Sequence, residues 1–206
     1  MTCSVAAGIK SLSPKTRIIA GGPEITAQYF KNKNKIKELF PMFDAFCAGE
    51  GERPLLQWLT QPENKKNIYL FEELPSFPEI SPSTLQKIEM TPYTKKNTFS
   101  LMTQRGCIRK CRFCSERLLS RSLKPCSVEN LMEQLHVLKN KGMERLIIHD
   151  SMFNARINHV REFCTLIRKN FGSVPWEAQI GVRTDMPSEL ISLMKASGAY
   201  HLFIGF

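Results

Sequence analysis

The sequence predicts an α/β protein in two parts: a partial, Rossmann-like parallel sheet followed by a partial (β/α) barrel, truncated at both ends. Three observations predict it. Short apolar runs alternate with helix-period segments in both halves, the pattern of parallel strands joined by crossover helices. Five prolines, at positions 62, 75, 78, 82 and 92, interrupt the middle of the 206-residue chain and exclude a long helix there. In the last half, four strand patterns and three helix patterns alternate strictly, which is half of a (β/α) barrel or an open version of one.

The first part opens with a helix over about Cys3 to Leu12. A strand at Arg17–Ala20 (RIIA) follows and is closed by Gly21-Gly22-Pro23. A polar helix is expected from Glu24 to about Lys31, and the run KNKNKIK, Lys31 to Lys37, reads as an exposed helix end or loop. A strand at Asp44–Ala48 (DAFCA) leads into the turn GEGE at Gly49–Glu52, and helix resumes at Pro54–Leu59. That is two strands, where a doubly wound sheet normally has about five or six. Residues 61–97, with short apolar groups at Ile68, Tyr69, Leu70, Phe71, Leu74 and Phe77, read as an extended linker.

The second part, 98–206, is the more regular. A strand at Phe99–Met102 leads into a cysteine-rich loop. Ser127 N-caps a helix with Leu131, Leu135 and Leu138 on one face, closed by Gly142. A strand at Arg145–His149 (RLIIH) ends in Asp150-Ser151. Ile157, Val160, Phe163, Cys164 and Ile167 mark the next helix, and a strand follows at Trp176–Val182. Asp185 and Pro187 open the helix PSELISLMKAS, closed by Gly198, and the last strand is Tyr200–Ile204.

With 42% hydrophobic and 23% charged residues, the composition is that of a folded globular protein. No apolar run approaches the roughly 18 residues of a membrane-spanning helix. The opening MTCSVAAGIK has neither the basic start nor the apolar core of a signal peptide. A cytoplasmic location is expected, and there the seven cysteines are reduced, metal-bound or catalytic rather than disulfide-paired. The net charge of +10 is concentrated between Gln104 and Pro125, where seven Lys or Arg stand against one acid, Glu116. Such charge fits either phosphate contacts or a solvated basic surface.

Within it lies RGCIRKCRFC, with Cys107, Cys111 and Cys114 spaced C-x3-C-x2-C. A structural zinc takes four ligands, usually as two C-x2-C pairs, and no second pair follows; Cys126 is isolated. A thioredoxin-like redox pair leaves Cys107 unexplained. Three unrelated core cysteines fit poorly with polar, basic surroundings. A 4Fe–4S cluster held by three thiolates, with one iron left open, accounts for the number three and for the positive charge.

C-x3-C-x2-C with Phe113 just before the last cysteine resembles the motif of the radical S-adenosylmethionine enzymes. In that superfamily the motif follows the first strand of a partial (β/α)6 TIM-like barrel. The stretches RSLKPCSVENLMEQLHVLKNKGMERLIIHDSMFN and MKASGAYHLFIGF extend the resemblance over Thr98 to Phe206. In the first part, RIIAGGPEIT and FDAFCAGEGERPLLQWL resemble the last part of the cobalamin-binding domain that precedes many such barrels. The resemblance therefore implies three segments: 1–60 as the C-terminal part of a cobalamin-binding-like domain, 61–97 as a linker, and 98–206 as the N-terminal part of the barrel. None of the four histidines stands in the Asp-x-His-x-x-Gly motif that ligates cobalt in some cobalamin proteins.

Cys107, Cys111 and Cys114 are then the ligands of three irons, and S-adenosylmethionine binds the fourth. One electron cleaves the sulfonium to start radical chemistry or supports corrinoid-assisted methyl transfer. Phe113 lies near the adenine. The loop carrying Asp150, Ser151 and Asn154 takes the methionine amino group, and Gln179 and Arg183 reach the ribose or carboxylate. Gly22 and Gly49 admit backbone close to cobalamin in the complete parent protein. The substrate is a small molecule of unspecified kind, and the electron comes from an external flavodoxin- or ferredoxin-like donor. Nucleic acid is not expected as a partner. Cys3, Cys47 and Cys164 read as buried spectators, Cys126 at a helix start as a spectator with a thiol pKa open to lowering, His149 as a satisfied core histidine, and Trp58 and Trp176 as packing residues. Two alternatives stand beside this reading. A radical methylthiotransferase acting on transfer RNA or protein needs further cysteines before the barrel, where only Cys3 and Cys47 occur. A basic zinc-binding nucleic-acid module is separated from the rest by metal analysis.

Overall fold

Short apolar strands joined by helices give each half its own parallel sheet. A computed structural model describes residues 2–32, 35–61, 68–70, 74–89, 97–120 and 122–205. Lys33, Asn34, Pro62, Phe71, Pro92, Arg121 and Phe206, all used in the sequence reading, lie outside the described residues. The chain divides into two compact units, Met1–Leu74 with Arg109–Arg121, and Pro75–Ile108 with Ser122–Phe206.

In the first unit, helix α1 (Thr2–Leu12) precedes strand β1 (Ile19–Gly21), helix α2 (Pro23–Asn32) and the short helix α3 (Ile36–Leu39). Strand β2 (Ala45–Ala48), helix α4 (Glu52–Thr60) and strand β3 (Ile68–Leu70) follow. The sheet order is β1-β2-β3, all parallel. Two strands were expected here; the third comes from the stretch read as linker. Residues 68–70 form a strand because the fully buried β2 offers them a free parallel edge, a tertiary effect that overrides three residues of weak local signal. The run at Lys31–Lys37 is likewise not only loop: Ile36 is 0% exposed and opens α3. Ile25, Tyr29, Ile36, Phe43 and Phe46 build this unit's core.

The second unit starts with helix α5 (Pro82–Lys87), capped by Ser81, whose Oγ accepts from Thr84 N. Strand β4 (Thr98–Leu101) and the two-residue strands β5 (Gln104–Arg105) and β6 (Lys124–Pro125) bracket the cysteine loop. Helix α6 (Glu116–Leu119) lies within that loop and groups with the first unit. Helix α7 (Val128–Asn140), strand β7 (Arg145–Ile148), a 3-10 turn (Phe153–Ala155), helix α8 (Ile157–Phe171), strand β8 (Trp176–Gly181), helix α9 (Ser188–Ser197) and strand β9 (Ala199–Gly205) complete it.

The order β4-β7-β8-β9 is parallel throughout, with strands adjacent in chain order. That is the order of successive strands in a (β/α) barrel. The expected cap holds: Ser127 Oγ accepts from Asn130 N at 3.2 Å. One face of the sheet, with Phe99, Leu101, Leu146, Ile148, Trp176 and Ala178, meets the apolar stripes of α7, α8 and α9 in a single core. Phe153, Phe163 and Trp176 meet edge to face inside it, with centroids 5.3 to 5.6 Å apart. Trp176 also donates from Nε1 to Ser197 Oγ at 3.1 Å. Because the strands are parallel, the loops after β4, β7 and β8 all leave from one end of the sheet, and that end carries the candidate site.

Candidate functional site

The cysteine loop has a built base. Beyond β4 the chain pairs back on itself, Gln104 opposite Pro125 and Arg105 opposite Lys124, antiparallel. One residue earlier, the Thr103 carbonyl accepts from Cys126 N at 2.8 Å. Buried Gly106, at φ +92°, turns the chain outward, a conformation that favours glycine. Cys107 follows in the second unit and is half-buried. Cys111 and Cys114 fall in the first unit and are also half-buried, with Cys114 N donating to Cys111 O at 3.2 Å. None of the three is in a disulfide. Arg109, Lys110 and Arg112 are exposed between them, and Phe113 is 90% exposed. Among the described residues, no three His, Cys, Asp or Glu side chains are gathered as ligands for a metal ion.

Asp150, just after β7, is buried rather than facing solvent. Its Oδ1 accepts from Thr103 N at 2.7 Å and Gln104 N at 3.1 Å, and its Oδ2 accepts from Thr103 Oγ1 at 2.5 Å. Burial pushes its pKa up to about 6, against the pull of those donors, so it is ionised at neutral pH. His159 on α8 meets Thr103 Oγ1 from Nε2 at 2.7 Å. Burial, aided by the Arg156 charge, lowers its pKa to about 4, so the ring is neutral. Gln104, fully buried, donates from Nε2 to the carbonyls of Met152 and Phe153 at 2.9 and 2.8 Å. Its Oε1 has no partner among the described residues.

Asn154 and Arg183 are committed to the same end of the sheet. The Asn154 amide donates to Gly181 O and accepts from Gly181 N, both at 2.8 Å, tying the turn after β7 to the end of β8. Arg183 grips both Asp185 oxygens, from Nε at 2.8 Å and Nη2 at 2.6 Å. It also donates from Nη1 to the Asn154 and Ala155 carbonyls at 3.1 and 2.8 Å. Ser151 is half-buried, and Gln179 is exposed on the sheet face opposite the helices. Exposed Ser100, His149 and His201 and half-buried Glu177 accompany it, with Ser100 Oγ 3.1 Å from His149 Nε2.

In the first unit, Gly22 and Gly49 both take positive φ, +93° and +83°, directly after β1 and β2. Fully buried Thr26 joins them: its Oγ1 donates to Gly22 O and accepts from Gly49 N, both at 2.8 Å. A Cβ at Gly22 would meet no atom of the described residues within 4 Å, so that side of the turn is open space among them.

Several expectations change. His149 is exposed, because it lies past the last buried residue of β7, and so is not a core histidine. The Cys126 thiol is not lowered; burial, then the charges of Glu79 and Asp150, push it up to about 12. It sits against Asn130 Oδ1 and Gln134 Nε2, at 3.5 and 3.8 Å. Cys47 and Cys164 are buried as expected, while Cys3 is half-buried. Trp58 is half-buried with the Arg17 guanidinium 4.6 Å from its ring centroid. The residues missed are Thr26, Thr103, Gln104 and His159. His159 alone left a trace, as a polar residue beside Val160 on the apolar stripe of its helix.

No family model matches the chain. The uncharacterized methyltransferase PH0819 of Pyrococcus horikoshii is 23% identical over 223 aligned positions, covering 98% of this chain and 48% of that protein. The radical S-adenosylmethionine methyltransferase TsrM of Kitasatospora setae, solved with tryptophan substrate and a S-adenosylmethionine analogue, superposes with a TM-score of 0.71 at 15% identity, over 99% of this chain and 44% of that one. TsrM has also been solved with cobalamin and a [4Fe-4S] cluster bound. OxsB, a cobalamin-dependent S-adenosylmethionine radical enzyme solved with aqua-cobalamin and S-adenosylmethionine, gives 0.63 at 18% identity, over 98% of this chain and 32% of that one. The chain thus spans about half the length of the curated relative it matches. Over nearly its whole length it has the fold of one portion of these cobalamin-dependent S-adenosylmethionine radical enzymes.

Proposed function

We propose that this chain is the cluster-bearing portion of an enzyme that transfers methyl groups from S-adenosylmethionine with the help of a corrinoid. One observation carries the reading: C-x3-C-x2-C lies on the loop directly after the first strand of a four-stranded parallel sheet, in a fold shared with TsrM and OxsB. The donor set fits a cluster with one open iron. Three half-buried thiols, none in a disulfide, occupy one short loop among exposed cations, and the fourth thiol at hand, Cys126, is buried just before α7 against Asn130 and Gln134.

Cys107, Cys111 and Cys114 hold the 4Fe–4S cluster. When bound, the cluster supplies the electron and the open iron that S-adenosylmethionine cleavage requires, and an external flavodoxin- or ferredoxin-like donor restores the electron. Phe113, exposed between two ligands, covers the adenine. Ser151 and Gln179 present polar groups to the cofactor. Asp150, Asn154 and Arg183, whose polar atoms are spent within the protein, shape the loops around it. Gly22 and Gly49, joined through Thr26, form the two turns that face cobalamin. The substrate is a small molecule.

The test is anaerobic reconstitution of the chain with iron and sulfide. One 4Fe–4S cluster is expected, lost in Cys107→Ala, Cys111→Ala or Cys114→Ala and kept in Cys126→Ala. Loss in Cys126→Ala as well means a closed four-thiolate site. In the full-length protein, reduced with dithionite, S-adenosylmethionine is consumed; a full cluster with no consumption leaves an electron carrier instead.

A further inference from the structure

Thr103 stands where the chain leaves β4, four residues before Cys107, and it is fully buried. Four contacts converge on it. Its amide and hydroxyl both donate to Asp150, its hydroxyl oxygen faces His159 Nε2, and its carbonyl accepts from Cys126 N. The first three anchor the outgoing arm of the cysteine loop to β7 and α8. The fourth anchors the returning arm, one residue beyond the β5–β6 pairing. Thr103 has a single hydroxyl proton, and Asp150 is ionised, so that proton goes to the carboxylate. With that proton committed, the 2.7 Å contact to neutral His159 requires the imidazole hydrogen on Nε2, donating to the Thr103 oxygen. The chain of donors runs in one direction, from imidazole to hydroxyl to carboxylate. Asp150, Thr103 and His159 are 2%, 0% and 6% exposed, so no solvent substitutes for a missing member.

We propose that Thr103, aligned by Asp150 and His159, is a positioning residue that pins both arms of the three-cysteine loop and so fixes the place and orientation of its first thiol, Cys107. The purpose assigned to this relay rests on the cluster reading; the pinning itself does not. The hydroxyl is what matters. Thr103→Val keeps the shape of the side chain but strips Asp150 Oδ2 and His159 Nε2 of their partner, whereas Thr103→Ser keeps the hydroxyl.

Amide exchange in the metal-free full chain tests the pinning residue by residue. The reporters are Gln104 and Cys126, with Leu146, whose amide is bonded to Pro175 O, as the measure of general opening. Thr103→Val is expected to speed exchange at Gln104 and Cys126 by about tenfold more than at Leu146, the scale set by losing one buried hydrogen bond. Thr103→Ser restores the wild-type rates. Equal acceleration at all three amides, or none, overturns the pinning and leaves Thr103 an ordinary core residue. The chain is then reconstituted. Thr103→Val is expected to bind as much iron as the wild type but to show a shifted electron paramagnetic resonance spectrum when reduced. An unchanged spectrum at full iron content overturns the positioning role. Should the wild type take up no iron, the cluster reading falls, and the pinning is decided by the exchange rates alone.

Discussion

Asp150 and His159 titrate in opposite senses within one network, and the pH dependence of stability follows from their signs. Asp150 has a folded pKa of about 6 against an ordinary 3.8, so the folded chain holds more protons through that window and stability falls as pH rises. His159 has a folded pKa of about 4 against 6.5, so the unfolded chain holds more protons and stability rises with pH. Between about pH 4 and 6 the two slopes oppose each other. His159→Gln removes the rising slope and uncovers the falling one. Its stability is expected to drop by roughly 2–3 kcal/mol from pH 4 to 6, the size of a two-unit shift in Asp150, where the wild type stays nearly level. Urea unfolding at pH 4, 5 and 6 measures it, and a level profile in the variant would show that Asp150 does not carry the raised pKa. Of these residues only Asp150 was legible in the sequence, from its place after a strand. Thr103 lies 47 residues from Asp150 and 56 from His159. Contacts between polar side chains so far apart leave no periodic trace, so the partners of Asp150 appear only once the strands are paired.

Helices and strands with a clear period were legible; the short elements were not. The helices with Leu131–Leu138 and Ile157–Ile167 stripes, and the strands between them, fall within a residue or two of expectation because an apolar stripe and an alternating strand each have their own repeat. Three-residue β3, the two-residue strands β5 and β6, four-residue α3 and α6, and six-residue α5 cover fewer than two repeats each, too few for a period to show. They exist because longer neighbours offer them an edge or a face. The stop signals were legible for a stricter reason. Gly198 ends α9 at φ +113°, and a Cβ placed there would lie 2.0 Å from the Val174 carbonyl oxygen. Its amide closes the helix on Lys195 O at 3.1 Å, and its carbonyl accepts from Trp176 N at 3.0 Å, the contact that starts β8. Gly198→Ala combines a strained backbone with a clash against backbone that cannot yield. It is expected to lose well over the roughly 1 kcal/mol of a strained Gly→Ala change. Gly172→Ala, at φ +71° with none of the described residues within 4 Å of its Cβ, carries the strain alone and is expected to lose less. Denaturant midpoints of the two variants give the order directly, and equal losses would mean that the Val174 backbone gives way.

Across the molecule, two apolar surfaces left uncovered among the described residues lie at a strand edge and along a helix. β9 pairs with β8 on one side, and no described strand pairs with its other side. It is seven residues long, and Tyr200, Phe203 and Ile204 are each close to half exposed. An apolar edge of that length is a template for pairing with another chain, since neither a Lys, Arg, Asp or Glu nor a proline within it blocks the approach. In the first unit, a groove of about 370 Å³ runs between α1, β1 and α2, with Val5 57% exposed on its rim. Both surfaces favour association, but by different physics. The edge gains backbone hydrogen bonds in register, whereas the groove gains only non-directional burial. The edge is therefore expected to dominate. The chain should self-associate with rising concentration in light scattering, Phe203→Lys should suppress this by placing a charge on the edge, and Val5→Lys should leave it nearly unchanged. Suppression by Val5→Lys alone would transfer the contact to the groove. A monodisperse monomer at every concentration would mean that the twist of β9 already keeps a second strand away.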